Sequence, residues 1–341
     1  MQLAEAPAIS WDDLCGRAQL GDRSAIDEVR TLLRDKVIKQ AVILWQRKKL
    51  KEDAGQFSER VVSLANMWLR SQSDWRRFTS QELLKNEALV FLFKVLIRPD
   101  RDGVSPAAVR KPKENDPRFQ LDALSKPLEE VSGDWFVGEV AKDGALWVLI
   151  ADVTSHGWPA HALAAGLPLL WDLEAVRDLR ERGMHPSSVL EHLSRELLDS
   201  NLPTGIFVDA TLARFDFKRG AAEVVIAAAG DCRSLRHRPQ ANQIEHFRFG
   251  SSYLGSEWSH DPPKEKTWPL QLGDEWLLSS DGLYDQPSGS ERLVQTLSNM
   301  TSLSPPHRSL SPAVKELLDR ALAACPQHDD ITKVVVRFCS S

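Results

Sequence analysis

The stretch "ALWVLIAD" (145–152) is apolar enough to be buried and short enough to be a strand, yet it ends in a carboxylate. Three further runs share its texture: "AAEVVIAAAG" (221–230), "EWLLSSD" (275–281) and "ITKVVVRF" (331–338). Short runs rich in Val, Leu and Ile read as strands buried in a sheet. Two helical patterns intervene, from Pro159 to about Val176 and from Pro186 to about Ser200. Strict strand–helix–strand alternation is missing, so the second half of the chain is expected to be α+β, a layered β-sandwich flanked by helices.

The first hundred residues have another period. In "SAIDEVRTLLRDKVIKQAVILW" the apolar positions Ile26, Val29, Leu32, Leu33, Val37 and Ala41 recur every three or four residues, the spacing of an amphipathic helix. Ser10 with Asp13, Ser24 with Asp27 and Thr79 with Glu82 read as capped helix starts. An all-α bundle over 1–100 is expected, with a regulatory or dimerising role. From Arg98 to Arg118, Pro, Gly and charge mix without periodicity, which places a linker at 101–117 and a second domain at 118–341.

Charge divides along the same boundary. Residues 1–117 hold 21 Lys+Arg against 17 Asp+Glu, a balance of +4, and the remaining 22 against 31 give −9. The basic excess is too small to argue for nucleic acid, and the acidic half suits carboxylates gathered around cations. Cys15, Cys232, Cys325 and Cys339 form no C-x-x-C pair, which argues against zinc or a disulfide framework. No basic-then-apolar leader and no bilayer-length run is visible, so a cytoplasmic location without membrane contact is expected.

Acidic residues recur at strand ends: Asp134 in "VSGDWF", Asp152 in "IADVTSHG", Asp281 in "SSDGLYD", and Asp329 with Asp330 in "QHDDIT". Singly, each could simply begin a turn. Gathered at one end of a sheet, they would repel one another unless cations neutralised them, and hard oxygen donors select Mg²⁺ or Mn²⁺.

The order of these motifs resembles the metal-dependent protein serine/threonine phosphatases of type 2C, and within them the SpoIIE-like branch that regulates sigma factors. The likeness covers about residues 118–338. It implies that Asp152 bridges two Mg²⁺ or Mn²⁺ ions, that the Val153 carbonyl binds one of them, and that Asp134, Asp281 and Asp329 complete the set. Asp330 would support these ligands from outside. The implied reaction is two-metal activation of water, with ions roughly 3.5–4 Å apart, against phosphoserine or phosphothreonine on a bacterial regulatory protein. An anti-sigma-antagonist-like phosphoprotein is the partner this suggests. His156 reads either as the proton donor to the leaving serine or as a residue that caps or packs the following helix.

Departures from the family pattern are Ser132 for a Gly, Val137 for an Asp and Ser155 for a Gly; none removes an expected ligand. In "AAAGDCRSLRHR", Asp231 reads as structural rather than as a ligand. The scattered Trp residues, Trp135, Trp147, Trp158 and Trp276 among them, read as packing. No G-x-x-x-x-G-K-[ST] loop is present, which counts against a nucleotide hydrolase. Two rival readings follow from the same residues: a non-catalytic phosphatase-fold scaffold, and a sigma-like regulator acting through 1–100, where "LCGRAQLGDRSAIDEVRTLL" faintly resembles a sigma-factor helix.

Overall fold

The computed structural model describes residues 10–20, parts of 22–31 and 62–67, and 116–339 apart from 130, 201, 203–204, 218–221, 242, 257–260, 285–309 and 325–326. Most of the expected bundle, the start at Thr79 and all but the last residues of the linker lie outside these. Helix α1 (Trp11–Gln19) begins as its sequence predicts, with the Ser10 hydroxyl accepting from the Asp13 amide at 3.2 Å. The next start differs. Asp22, not Ser24, is the cap: its Oδ1 accepts from the amides of Ser24 at 2.9 Å and Ala25 at 3.3 Å. A carboxylate at that position reaches two of the free amides of the first turn and favours the positive helix end.

The rest is two antiparallel five-stranded sheets flanked by helices. In chain order the elements are β1 (Phe119–Lys126), β2 (Asp134–Val140), β3 (Leu146–Val153), α2 (Gly157–Ala164), α3 (Leu167–Trp171), α4 (Glu174–Glu181), α5 (Pro186–Asp199), β4 (Val208–Asp216), β5 (Glu223–Ala229), β6 (Arg233–Arg238), β7 (Gln243–Arg248), β8 (Lys264–Pro269), β9 (Glu275–Ser279), α6 (Leu310–Ala324) and β10 (Ile331–Phe338). One sheet runs β1-β10-β9-β6-β7 and the other β2-β3-β4-β5-β8. Among the described residues no helix is long and apolar enough to cross a membrane.

Side-chain alternation explains the layers. Along β3, Val148 and Ile150 face the other sheet and meet Trp276, Leu278, Val334 and Val336, while Trp147, Leu149 and Ala151 face the helices α2–α5. A strand buried on both faces must be apolar throughout, as "LWVLIA" is. The outer face of the other sheet, with Leu277 and Val335, is covered by Leu310, Val314 and Leu318 of α6.

The expected helix from Pro159 to about Val176 is broken into α2, α3 and the first turn of α4. Pro168 has no amide to continue the ladder from Ala164, and the chain turns at Gly166 and again at Leu173. Gly166 has a packing reason as well: a Cβ there would collide with the sulfur of Met67 and touch Leu64 at 3.4 Å. Both residues belong to the N-terminal part, and Met67 is fully buried in the core that holds Trp135, Trp147 and Leu163.

Candidate metal centre

Strand register builds the centre. Asp134 on β2 lies opposite Asp152 on β3, and Asp152 lies opposite Asp209 on β4. Directly paired residues share a face, so three carboxylates form one row. By alternation that row lies on the face of Phe136, Ile150 and Phe215, which is the interior of the sandwich. The other sheet closes over it. Ser280, just past β9, donates from Oγ to Asp134 Oδ2 at 2.8 Å and accepts from the Thr332 amide of β10 at 3.0 Å. Asp281 follows Ser280, and Asp329 and Asp330 precede β10.

Asp330 holds the approach to β2. Its two oxygens accept from the amides of Leu128 at 2.7 Å and Gly133 at 2.6 Å, and the carboxylate is buried. Asp329 is half-buried, with Oδ1 accepting from the Asp330 amide at 2.8 Å. Gly282 allows the close approach of these segments, because a Cβ there would overlap the Asp330 carbonyl oxygen and lie 3.3 Å from the Asp329 Cβ. Val153 continues β3, and its amide donates to Gly133 O at 3.3 Å.

Asp209 is the acidic residue that sequence reading missed. Its Oδ1 accepts from the Asp231 amide at 3.0 Å, and Gly230 (φ +94°) has no room for a side chain against it. Asp231 behaves as structural: Arg248 grips both of its oxygens, Nε at 2.7 Å and a terminal nitrogen at 2.6 Å. His156 occupies the cap position of α2 but makes no side-chain capping bond. Its Nδ1 instead lies 2.9 Å from Glu129 Oε1, and both side chains are about half exposed.

The electrostatics are those of crowded, buried carboxylates. Burial pushes Asp134 up to about 7, the charge of Asp330 adds to the rise, and hydrogen bonds from Ser280 and Thr332 oppose it. Burial also raises Asp209 to about 7, helped by Asp281. Asp152 is driven well above the usual carboxylate range by burial and then by Asp134, Asp281 and Asp329. Asp329 is raised by burial too, with the neighbouring charge of His156 opposing.

The donor set fits hard divalent cations. Asp134 Oδ1 and Asp281 Oδ1 are buried without a hydrogen-bond partner, an expensive arrangement that a cation would relieve. No three acidic or imidazole groups among the described residues close into a ready-made cage, so the fit rests on these oxygens and on the row. A cleft of roughly 300 Å³, counting its open mouth, exposes Asp152, Asp209 and Asp281, whereas Asp134 lies sealed beneath.

These shifts set the sign of a pH dependence. Folded pKa values above the unfolded ones mean that the native state holds more protons between about pH 4 and 7, so stability without divalent cations falls as pH rises through that window. One carboxyl moved to about 7 loses on the order of 1 kcal/mol between about pH 6 and 8. The melting temperature in EDTA is expected to be lower at pH 8 than at pH 6, and added Mg²⁺ should recover the difference while releasing protons. A melting temperature that rises with pH in EDTA would contradict the assignment.

Ser155, between the row and α2, has φ +84°, the left-handed conformation in which a β-carbon is strained. Ser155→Gly is expected to stabilise the protein by about 1 kcal/mol, offset partly by glycine's unfolded-state entropy. Thermal melting should show a rise of about 2–4 °C, and an unchanged or lower value would mean that the serine is compensated elsewhere.

Two antiparallel sheets enclosing carboxylates at one end, with helices outside, are the type 2C protein phosphatase fold. Solved structures share it. The RsbU and RsbW domains of a Mycobacterium tuberculosis protein superpose with a TM-score of 0.52 at 21% identity, over 65% of this chain and 60% of that one. The SiaA-PP2C domain of Pseudomonas aeruginosa gives 0.51 at 20%, over 74% and 94%. Residues 142–339, more than half of the sequence, match the family described as Stage II sporulation protein E (SpoIIE), and the chain belongs to that family. It is also 26% identical over 223 residues to Phosphoserine phosphatase RsbU of Bacillus subtilis (strain 168), covering 64% of this chain and 63% of that protein. The chain thus spans just under two thirds of that relative's length.

Proposed function

We propose that this chain is a Mg²⁺- or Mn²⁺-dependent phosphoprotein phosphatase that hydrolyses phosphoserine or phosphothreonine on a bacterial regulatory protein. The observation that carries the reading is the row Asp134–Asp152–Asp209, faced by Asp281 from the opposite sheet. The metal-binding set we assign is Asp134, Asp152, the Val153 carbonyl, Asp281 and Asp329. Two divalent ions held there would acidify a water and screen the phosphoryl charge. Asp330 and Ser280 hold the carboxylates in place through the hydrogen bonds described above. Glu129 fixes the Nδ1 side of His156, leaving Nε2 to deliver a proton to the departing seryl oxygen. Water then supplies the oxygen gained by phosphorus, and no phosphoenzyme forms.

The relatives' names, a phosphoserine phosphatase RsbU and a chain pairing RsbU with RsbW domains, support a partner-switching phosphoprotein as substrate. A helical regulatory or dimerising part over 1–100, a linker at 101–117 and a catalytic part at 118–341 complete the proposal, together with a cytoplasmic setting. Hydrolysis of p-nitrophenyl phosphate and of a phosphoserine peptide by the full chain, with Mn²⁺, Mg²⁺ or EDTA, tests it. Activity that requires the metal is expected. Mg²⁺ binding with no turnover on either substrate, or on a panel of phosphorylated regulatory proteins, would favour the non-catalytic scaffold.

A further inference from the structure

One residue of the cleft wall has the wrong charge for a site that only collects cations. Among the described residues Arg233 is the single basic side chain lining the cleft, alongside Asp152, Asp209, Asp231 and Asp281. It opens β6 directly opposite Ser279 of β9, two residues before Asp281, so its position is tied to the strand that delivers that carboxylate.

Arg233 also lies opposite Arg248 on β7, and like charges paired across strands repel. Asp231 sits between them and resolves the conflict unequally. Both of its oxygens are taken by Arg248, at 2.7 and 2.6 Å, while the nearest Arg233 nitrogen is 4.0 Å away. The Arg233 guanidinium packs over the ring of the buried Tyr284, 5.3 Å from its centroid, and makes no hydrogen bond to a described residue. Its side chain is only 20% exposed. A planar fork of donors held by stacking, its ion pair with Asp231 stretched to 4.0 Å, is matched by a ligand offering two anionic oxygens in one plane.

We propose that Arg233 is the phosphoryl-binding residue of this cleft, kept available because Arg248 occupies both oxygens of Asp231, the described carboxylate that Arg233 would otherwise engage. The inference rests on the phosphatase reading and adds the group that receives a phosphate monoester dianion, whether on a phosphoserine side chain or as released inorganic phosphate.

The test uses the full chain with saturating Mg²⁺. Calorimetry measures the dissociation constant of inorganic phosphate, and steady-state kinetics on a phosphoserine peptide separates KM from kcat. Arg233→Ala is expected to weaken phosphate binding and raise KM by about ten- to a hundredfold, with Mg²⁺ affinity and melting temperature close to wild type. Arg233→Lys keeps the charge without the fork and should fall between, which also serves if the alanine variant does not fold. Arg248→Ala should weaken phosphate binding as well, by freeing Asp231 to capture Arg233, and adding Asp231→Asn should restore it. A wild-type phosphate constant and KM in a folded Arg233 variant would overturn the inference and leave the phosphatase standing. If the wild type neither binds Mg²⁺ nor hydrolyses either substrate, the phosphatase reading fails and Arg233 falls with it.

Discussion

Asp152→Asn is expected to abolish most metal-dependent hydrolysis and at the same time to make the metal-free protein more stable. Both effects come from one charge. Asp152 stands between Asp134 and Asp209 across three strands and faces Asp281, and its carboxyl is pushed well above the usual range. Asparagine has the same shape and removes the charge, so the repulsion within the row falls and the metal-free melting temperature should rise at pH 8. On the proposed reading a metal ligand is lost with it. Changing a residue that merely supports a ligand costs about 10–100-fold in metal affinity or activity, so loss of the ligand itself should exceed about 100-fold. The stabilisation that saturating Mg²⁺ gives the wild type should vanish as well. Asp152→Asn turning over at the wild-type rate in saturating Mn²⁺ would end the two-metal proposal.

Gly282→Ala should damage the same centre without touching a carboxylate. The added methyl overlaps the Asp330 carbonyl and presses on backbone, 3.0 Å from the Asp330 carbonyl carbon, which cannot turn aside as a side chain could. The segments carrying Asp281 and Asp329 must move apart. Overpacking of this kind costs about 1–3 kcal/mol, and displacing a reacting group by about 1 Å can cost 100-fold in rate. The expected outcome is a lower melting temperature together with weakened Mg²⁺ binding. Unchanged Mg²⁺ affinity would mean that the two segments do not act as one unit.

How far the sequence foretold this depends on what each residue's meaning required. Asp152 and Asp281 stood out because each ends an apolar run, and the runs themselves became β3 and β9 nearly to the residue. Asp209 is the second residue of β4 inside "GIFVDATLARFD", where an acid before alternating residues looks like any strand start. Only the pairing of β3 with β4 sets it beside Asp152. Besides β1, β2 and β4, strands β6, β7 and β8 escaped notice because "RSLRHR", "QIEHFR" and "KEKTWP" carry their charges within the sheets, β7 at the edge of one and β8 at the edge of the other. Buried Arg236 shows how: it pairs with Asp274 at 2.6 Å, a partner 38 positions away that no local pattern reveals. The helix expected through Val176 broke because Pro168 cannot donate to the ladder, and Gly166 beside it answers to Met67, a residue about a hundred positions earlier that needs the space of a side chain.

That contact at Gly166 ties the two halves of the chain together energetically. Met67 is part of the same packed interior as Trp135, the neighbour of Asp134, and Ala160, whose Cβ would meet any side chain added at Gly133. Cutting residues 1–100 away would remove Met67 from this interior and leave a cavity under α2 and α3. Reciprocity would then apply: if the cations proposed at Asp134 and Asp152 favour the seated position of Met67, a ligand of the amino-terminal residues that favours it too would change their affinity, and they its own, by the same factor.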